Sequence, residues 1–120
     1  MSKARQVFGK WGEEQAAAYL AERGYQILEQ NARTAYGEID IVTRQQSLLV
    51  FVEVKTRHNT RFGNPEEAVG VRKQAHLLEA AAAYIQAYPE LGENWRIDVV
   101  AILDRPGTDV EILHFENAVS

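Results

Sequence analysis

Three charged residues interrupt the most apolar part of this chain, and their types and spacing could do chemistry. Residues 37–57 read GEIDIVTRQQSLLVFVEVKTR: two runs rich in β-branched residues, Ile39–Val42 and Leu48–Val54, around the polar turn Gln45, Gln46 and Ser47. Side chains alternate faces along a strand. Glu38, Asp40 and Val42 would therefore share one face of the first strand, with Ile39 and Ile41 on the other. On the second, Leu49, Phe51, Glu53 and Lys55 would share a face opposite Val50, Val52 and Val54. Simple hairpin pairing brings Asp40 to Glu53, directly opposed or one step away. Two carboxylates about 5 Å apart, at an effective dielectric of about 20, repel by roughly 3 kcal/mol, and like charges opposed across strands weaken a sheet. A neighbouring cation such as Lys55 relieves part of this, and a shared divalent ion relieves it too. Oxygen donors at this spacing suit Mg²⁺ or Mn²⁺, with water completing the octahedron. The plainer alternative is a solvated hairpin face whose charges pair with Lys55, Arg44 and Arg57. Against it stands the placement of Asp40, Glu53 and Lys55 in strands otherwise apolar.

Positioning such a site takes flanking elements. Lys10–Arg23 has helical spacing, with Ala16, Ala17, Leu20 and Ala21 as its apolar stripe and Gly24 as its stop. Glu13 falls on that stripe and Glu14 at its border. Two readings of Glu13 stand side by side: a carboxylate on the core side that needs a partner or cation, or a first-turn acid favoured by the helix dipole. Tyr25–Arg33 reads as a strand, with Arg33 either a phosphate contact or a solvated strand-end arginine. The polar connection Thr56–Asn64 carries Arg57, His58, Arg61 and Phe62 and could close over a nucleic-acid backbone. Asn64-Pro65-Glu66-Glu67 has the form of a helix start. The helix would run to about Tyr88 with Val71, Ala75, Leu78, Ala82 and Ile85 facing the core. Lys73 and Gln74 lie off that stripe, within reach of the site or on the surface. Trp95–Leu103 and Val110–Phe115 complete the strands. Asp98 most simply pairs with Arg96, and His114 reads as a packed or exposed strand histidine.

Composition sets bounds. The 120 residues, 46% apolar and 25% charged, suit one domain (1–120) with a single core. There is no cysteine, which excludes disulfides and thiolate metal sites. The N-terminal MSKARQVFGKW lacks the apolar region of a secretory signal, and the most apolar helix is far short of the roughly 20 residues of a membrane span. A cytoplasmic protein is expected. The net charge of −4 is unevenly spread: residues 1–75 hold eleven Lys/Arg against nine Asp/Glu, and residues 76–120 hold two against eight. A positive field near the N-terminal half is compatible with a nucleic-acid partner.

Asp40 followed, after twelve intervening residues, by Glu53-Val54-Lys55 resembles the PD-(D/E)XK nuclease signature, in which an Asp and a Glu hold the metal and a Lys completes the site. Ile39 stands where the superfamily has its Pro. Glu13 resembles the extra acid of the archaeal Holliday-junction resolvases. The pattern is closer still to the bacterial UPF0102 (YraN-like) family, through Gly12-Glu13, Gly24-Tyr25, Asn31 with Arg33, Gly37-Glu38-Ile39-Asp40, Phe51 to Arg57, Lys73-Gln74 and Asn117-Ala118. The resemblance implies an α/β, restriction-endonuclease-like αβββαβ core with a mixed sheet flanked by helices. It implies a Mg²⁺- or Mn²⁺-dependent endonuclease acting on DNA, structured or branched, more readily than on RNA. Asp40, Glu53 and the Val54 carbonyl would bind the ion, with Glu13 as an outer or second-metal ligand. Lys55 would position or deprotonate the attacking water, while Arg33, Arg57 and Lys73 would hold the phosphate backbone. Analogy with the resolvases adds a homodimer. Two alternatives keep the fold without the chemistry: a nucleic-acid-binding or assembly module, and a protein-interaction domain using its acidic C-terminal part.

Overall fold

The computed structural model describes residues 2–59 and 69–120. Helix α1 (Lys3–Glu22) leads into strands β1 (Gln26–Thr34), β2 (Gly37–Gln45) and β3 (Leu48–Arg57), followed by helix α2 (Val71–Ala87), a 3₁₀ turn (Pro89–Leu91), and strands β4 (Trp95–Leu103) and β5 (Glu111–Val119). The order αβββαββ contains the expected αβββαβ core. The five strands lie in the sheet in chain order. β3 and β4 run parallel, and the other three pairings are antiparallel. A parallel pair needs a crossover, and the segment containing α2 supplies it.

Burial on both faces explains the unbroken apolar run in β3. Leu49 and Phe51 pack with Leu77, Ala80, Ala81 and Tyr84 of α2, together with Ile97 and Val99 of β4. Val50, Val52 and Val54 pack on the opposite face with Ala16 and Leu20 of α1, together with Val100 and Ile102. The alternation expected for β3 therefore holds. In β2 it fails at Asp40: Ile39 joins Val42 on the α2 side, whereas Ile41 lies on the α1 side. The break coincides with Asn31 of β1, which has φ 53° and stands between the pairs Gln30↔Ile41 and Ala32↔Ile39.

Both helices differ from the sequence expectation. α1 begins seven residues before Lys10, where the Ser2 hydroxyl accepts the Arg5 N–H at 3.1 Å. Gly9 and Gly12 weaken helix propensity by about 1 kcal/mol each relative to alanine; capping and docking on the sheet outweigh that. Glu13 is consequently mid-helix, which removes the first-turn reading. The start expected at Asn64–Glu67 lies outside the described residues, as do Arg61 and Phe62. Within them, Gly70 is the non-helical N-cap of α2. The fully buried face of α2 is Leu77, Ala80, Ala81 and Tyr84; of the expected stripe, Leu78 and Ile85 are half-buried against the same core, while Ala75 and Ala82 are exposed and Val71 is 85% exposed. Tyr84 decides the rotation: its ring meets Phe51 edge-on at 5.7 Å and its hydroxyl donates to Glu29 at 3.0 Å.

Candidate active site

β2 and β3 pair from Gln45↔Leu48 to Ile41↔Val52, where the ladder ends. One step beyond, the Asp40 carboxylate stands in for a strand acceptor: its Oδ2 takes the Val54 N–H at 2.8 Å. Beside this fork an open cleft of about 460 Å³ is lined by Glu13, Asn31, Asp40, Glu53, Val54 and Lys55, and also by Arg5, Phe8, Lys10 and Arg57. The α1 residues reach it along one helix face, since Arg5, Gly9 and Glu13 follow at intervals of four. Gly12 allows the approach. A β-carbon there would fall on the Thr56 side chain of β3.

Charge in the cleft is unevenly compensated. Glu53 is only 5% exposed. Its Oε1 lies 3.5 Å from the Lys55 ammonium and 3.6 Å from that of Lys73, which comes from α2. Its Oε2 is buried without a hydrogen-bond partner among the described residues. Burial, the Glu53 charge and, more weakly, Glu13 push the Asp40 carboxyl up to about 7, against the pull of the Val54 N–H and Lys73. Glu13 is half-buried and accepts the Asn31 side-chain amide at 2.9 Å. The same amide donates to Glu38 at 3.0 Å.

Glu13, Asp40, Glu53, Val54, Lys55 and Arg57 thus line one cleft, and Lys73 reaches it through Glu53. Arg33 does not. It is exposed on β1 beside a separate groove lined by Glu29, Ala83, Tyr84 and Tyr88. Gln74 turns back to the segment before its helix, donating to the Val69 carbonyl at 2.9 Å. The three acids stop short of tight convergence. Among the described residues, no group of three or more Asp, Glu or His side chains is close enough to hold one ion.

Sequence reasoning gave no role to Asn31, whose left-handed backbone aims its amide at Glu13. Asparagine is among the residues that tolerate that conformation. It also missed Arg5 and Phe8, by starting the helix too late, and gave Lys10 no role in the cleft. The spacing 5, 9, 13 was a signal for Arg5.

A second polar centre lies on the α1 side. Asp98 is fully buried and accepts from Arg96 at 2.9 Å, His114 at 2.7 Å and the Asn117 N–H at 2.9 Å. Arg96 also donates to the Tyr25 hydroxyl, and Tyr19 contacts the other His114 nitrogen at 3.3 Å. Burial alone would raise the Asp98 carboxyl. These donors outweigh it and hold the group below the usual carboxylate range. The expected Arg96 pairing holds, and His114 is packed.

The sequence model of the Uncharacterised protein family UPF0102 matches residues 12–102. This chain belongs to that family. A UPF0102 protein of Syntrophomonas wolfei is 50% identical over 110 residues, 92% of this chain and 95% of that one. Another, from Chloroherpeton thalassium, is 49% identical over 97 residues, 81% of this chain and 75% of its own. Among solved structures, the crystal structure of a repair endonuclease from Pyrococcus abyssi is similar over 79% of this chain, with a TM-score of 0.47 and 15% identity; this chain spans 39% of that one. The UPF0102 match begins at Gly12, so it takes in Glu13, Asn31, Asp40, Glu53, Lys55 and Lys73 and leaves out Arg5, Phe8 and Lys10.

Proposed function

We propose that this protein is a metal-dependent endonuclease that hydrolyses phosphodiester bonds in DNA, structured or branched DNA included. The observation that carries the reading is the Glu53 Oε2, buried without a hydrogen-bond partner among the described residues, beside an Asp40 carboxyl pushed up to about 7. A buried acceptor without a donor is costly, and adjoining carboxylates in a desolvated cleft call for more positive charge than Lys55 and Lys73 supply. The donors fit a hard cation. Asp40, Glu53 and the Val54 carbonyl are all oxygen ligands, so they would hold Mg²⁺ or Mn²⁺, with Glu13 beyond them. Such an ion supplies charge stabilisation at the phosphate and a water of lowered pKa.

The chain's own groups do the rest. Lys55 and Lys73 hold Glu53 in place and offer ammonium groups to phosphate oxygens. Arg57, with Arg5 and Lys10, contacts the sugar–phosphate backbone without reading sequence. Water oxygen attacks phosphorus, the ester P–O bond breaks, and the departing oxygen leaves with a proton. Duplex, flap and four-way DNA incubated with Mg²⁺ or Mn²⁺ should be cleaved. Asp40→Ala and Glu53→Ala should each slow cleavage on the order of a hundredfold or more, the scale of losing a main electrostatic contact. Cleavage at the wild-type rate in both variants would end the proposal.

A second reading, nucleic-acid binding without cleavage, is favoured by the two lysines already paired with Glu53 and by the loose spacing of the acids. It predicts salt-dependent DNA binding that survives Asp40→Ala, with no metal-dependent product.

A further inference from the structure

We propose that Phe8, Trp11 and His58 form a seat for an unpaired nucleobase, so that the substrate class is nucleic acid with a single-stranded segment. The inference deepens the nuclease reading and rests on it for the cleft being a nucleic-acid site. Phe8 lies parallel to His58, with centroids 4.2 Å apart and planes at 11°, and to Trp11, at 5.8 Å and 10°. Trp11 packs against the α1-side core, Phe8 is half-buried and His58 is exposed. The stack therefore runs outward from the core and ends on an imidazole. Among the described residues no ring other than Phe8 stacks on His58.

Two further observations make this a site for a nucleic acid. Phe8 and Arg57, the neighbour of His58, line the same cleft as Asp40 and Glu53. Arg5, Lys10 and Arg57, which also line it, form no ion pair among the described residues. Flat rings beside unpaired cations match a base beside its phosphates. The His58 ring is held by a 3.2 Å contact between Nδ1 and the Asp104 carbonyl, so little ordering remains to oppose stacking. Inside a duplex both faces of a base are covered by neighbours. An unpaired segment leaves one free, and such stacking tolerates any base.

The test uses the full chain in EDTA, so that binding is read without cleavage. Fluorescence anisotropy compares an oligothymidylate with an abasic strand of equal length, an oligouridylate and a blunt duplex. The thymidylate should bind about fivefold tighter than the abasic strand, the low end for one base–aromatic contact. His58→Ala should erase that difference, and Phe8→Leu should reduce it. Uridylate binding as well as thymidylate would support a seat indifferent to the sugar; uridylate binding no better than the abasic strand would support one that requires DNA. Equal affinity for thymidylate and abasic strands would overturn the proposal, as would a base preference untouched by both variants. A parallel cleavage assay separates the two ideas. Base-dependent binding without metal-dependent cleavage sinks the nuclease and keeps the seat. Metal-dependent cleavage with base-independent binding does the reverse.

Discussion

Asp40 concentrates the electrostatics of the cleft, and its titration is directly measurable. Its folded-state pKa of about 7 lies above the ordinary 3.8, from burial first and the Glu53 charge second. A carboxyl raised on folding contributes stability that is complete below pH 4 and is lost as pH climbs towards 7. The apo protein should therefore lose on the order of a few kcal/mol across that window. Asp40→Asn should flatten the slope in denaturant titrations run from pH 4 to 8; an unchanged slope would place the titrating group elsewhere. Asp98 has the opposite sign. Its carboxyl is held low by His114, the Asn117 N–H and Arg96, so its contribution is full above the ordinary 3.8 and lost as pH falls below it. Asp98→Ala should cost about 3–5 kcal/mol by stranding the Arg96 partner, read as a shift in the urea midpoint. Asp40, Glu53 and Lys55 were legible in the sequence because they break apolar strands. Arg33 lies exposed and off the cleft, and Asn31 was given no role, since a left-handed turn within a strand leaves no mark in a pattern of alternation.

At the scale of elements, the cleft depends on how closely α1 approaches β3. Gly12 is the point of contact, and any β-carbon there meets Thr56. Gly12→Ala should cost about 1–3 kcal/mol by overpacking, against a gain of about 1 kcal/mol in helix propensity. It should also carry Glu13 away from Asn31. Thermal unfolding gives the first quantity, and the second follows from cleavage assays. A more stable variant with full activity would show that the contact does not position the site. All five strands were readable, their ends less evenly: Trp95–Leu103 agrees at both ends, whereas β3 runs three residues past Val54 and β5 four past Phe115. The helices were less so. α2 carries two overlapping apolar faces in its alanine-rich middle, and the choice between them was made by the Tyr84 contacts with Phe51 and Glu29.

For the whole molecule, a sheet covered on both faces leaves the candidate site at the fork where β2 parts from β3. A ligand bound there stabilises the entire fold by mass action, about 2.7 kcal/mol at a hundredfold excess over its dissociation constant. Mg²⁺ or Mn²⁺ should accordingly raise the melting temperature more at pH 8 than at pH 5.5, because ligands must be deprotonated to bind. The shift should vanish in Asp40→Asn. A pH-independent shift, or one retained by the variant, would place the ion elsewhere. Among the described residues no helix is long and apolar enough to cross a membrane. By itself the sequence determined the strands along the chain and the nearness of Asp40 to Glu53, because apolar alternation and turn chemistry are local. Only the tertiary structure decided which face of α2 is buried, how far α1 extends, and that Arg5, Phe8, Lys10, Asn31 and Lys73 gather around those acids. Such choices turn on packing between segments distant in the chain, where no local pattern reaches.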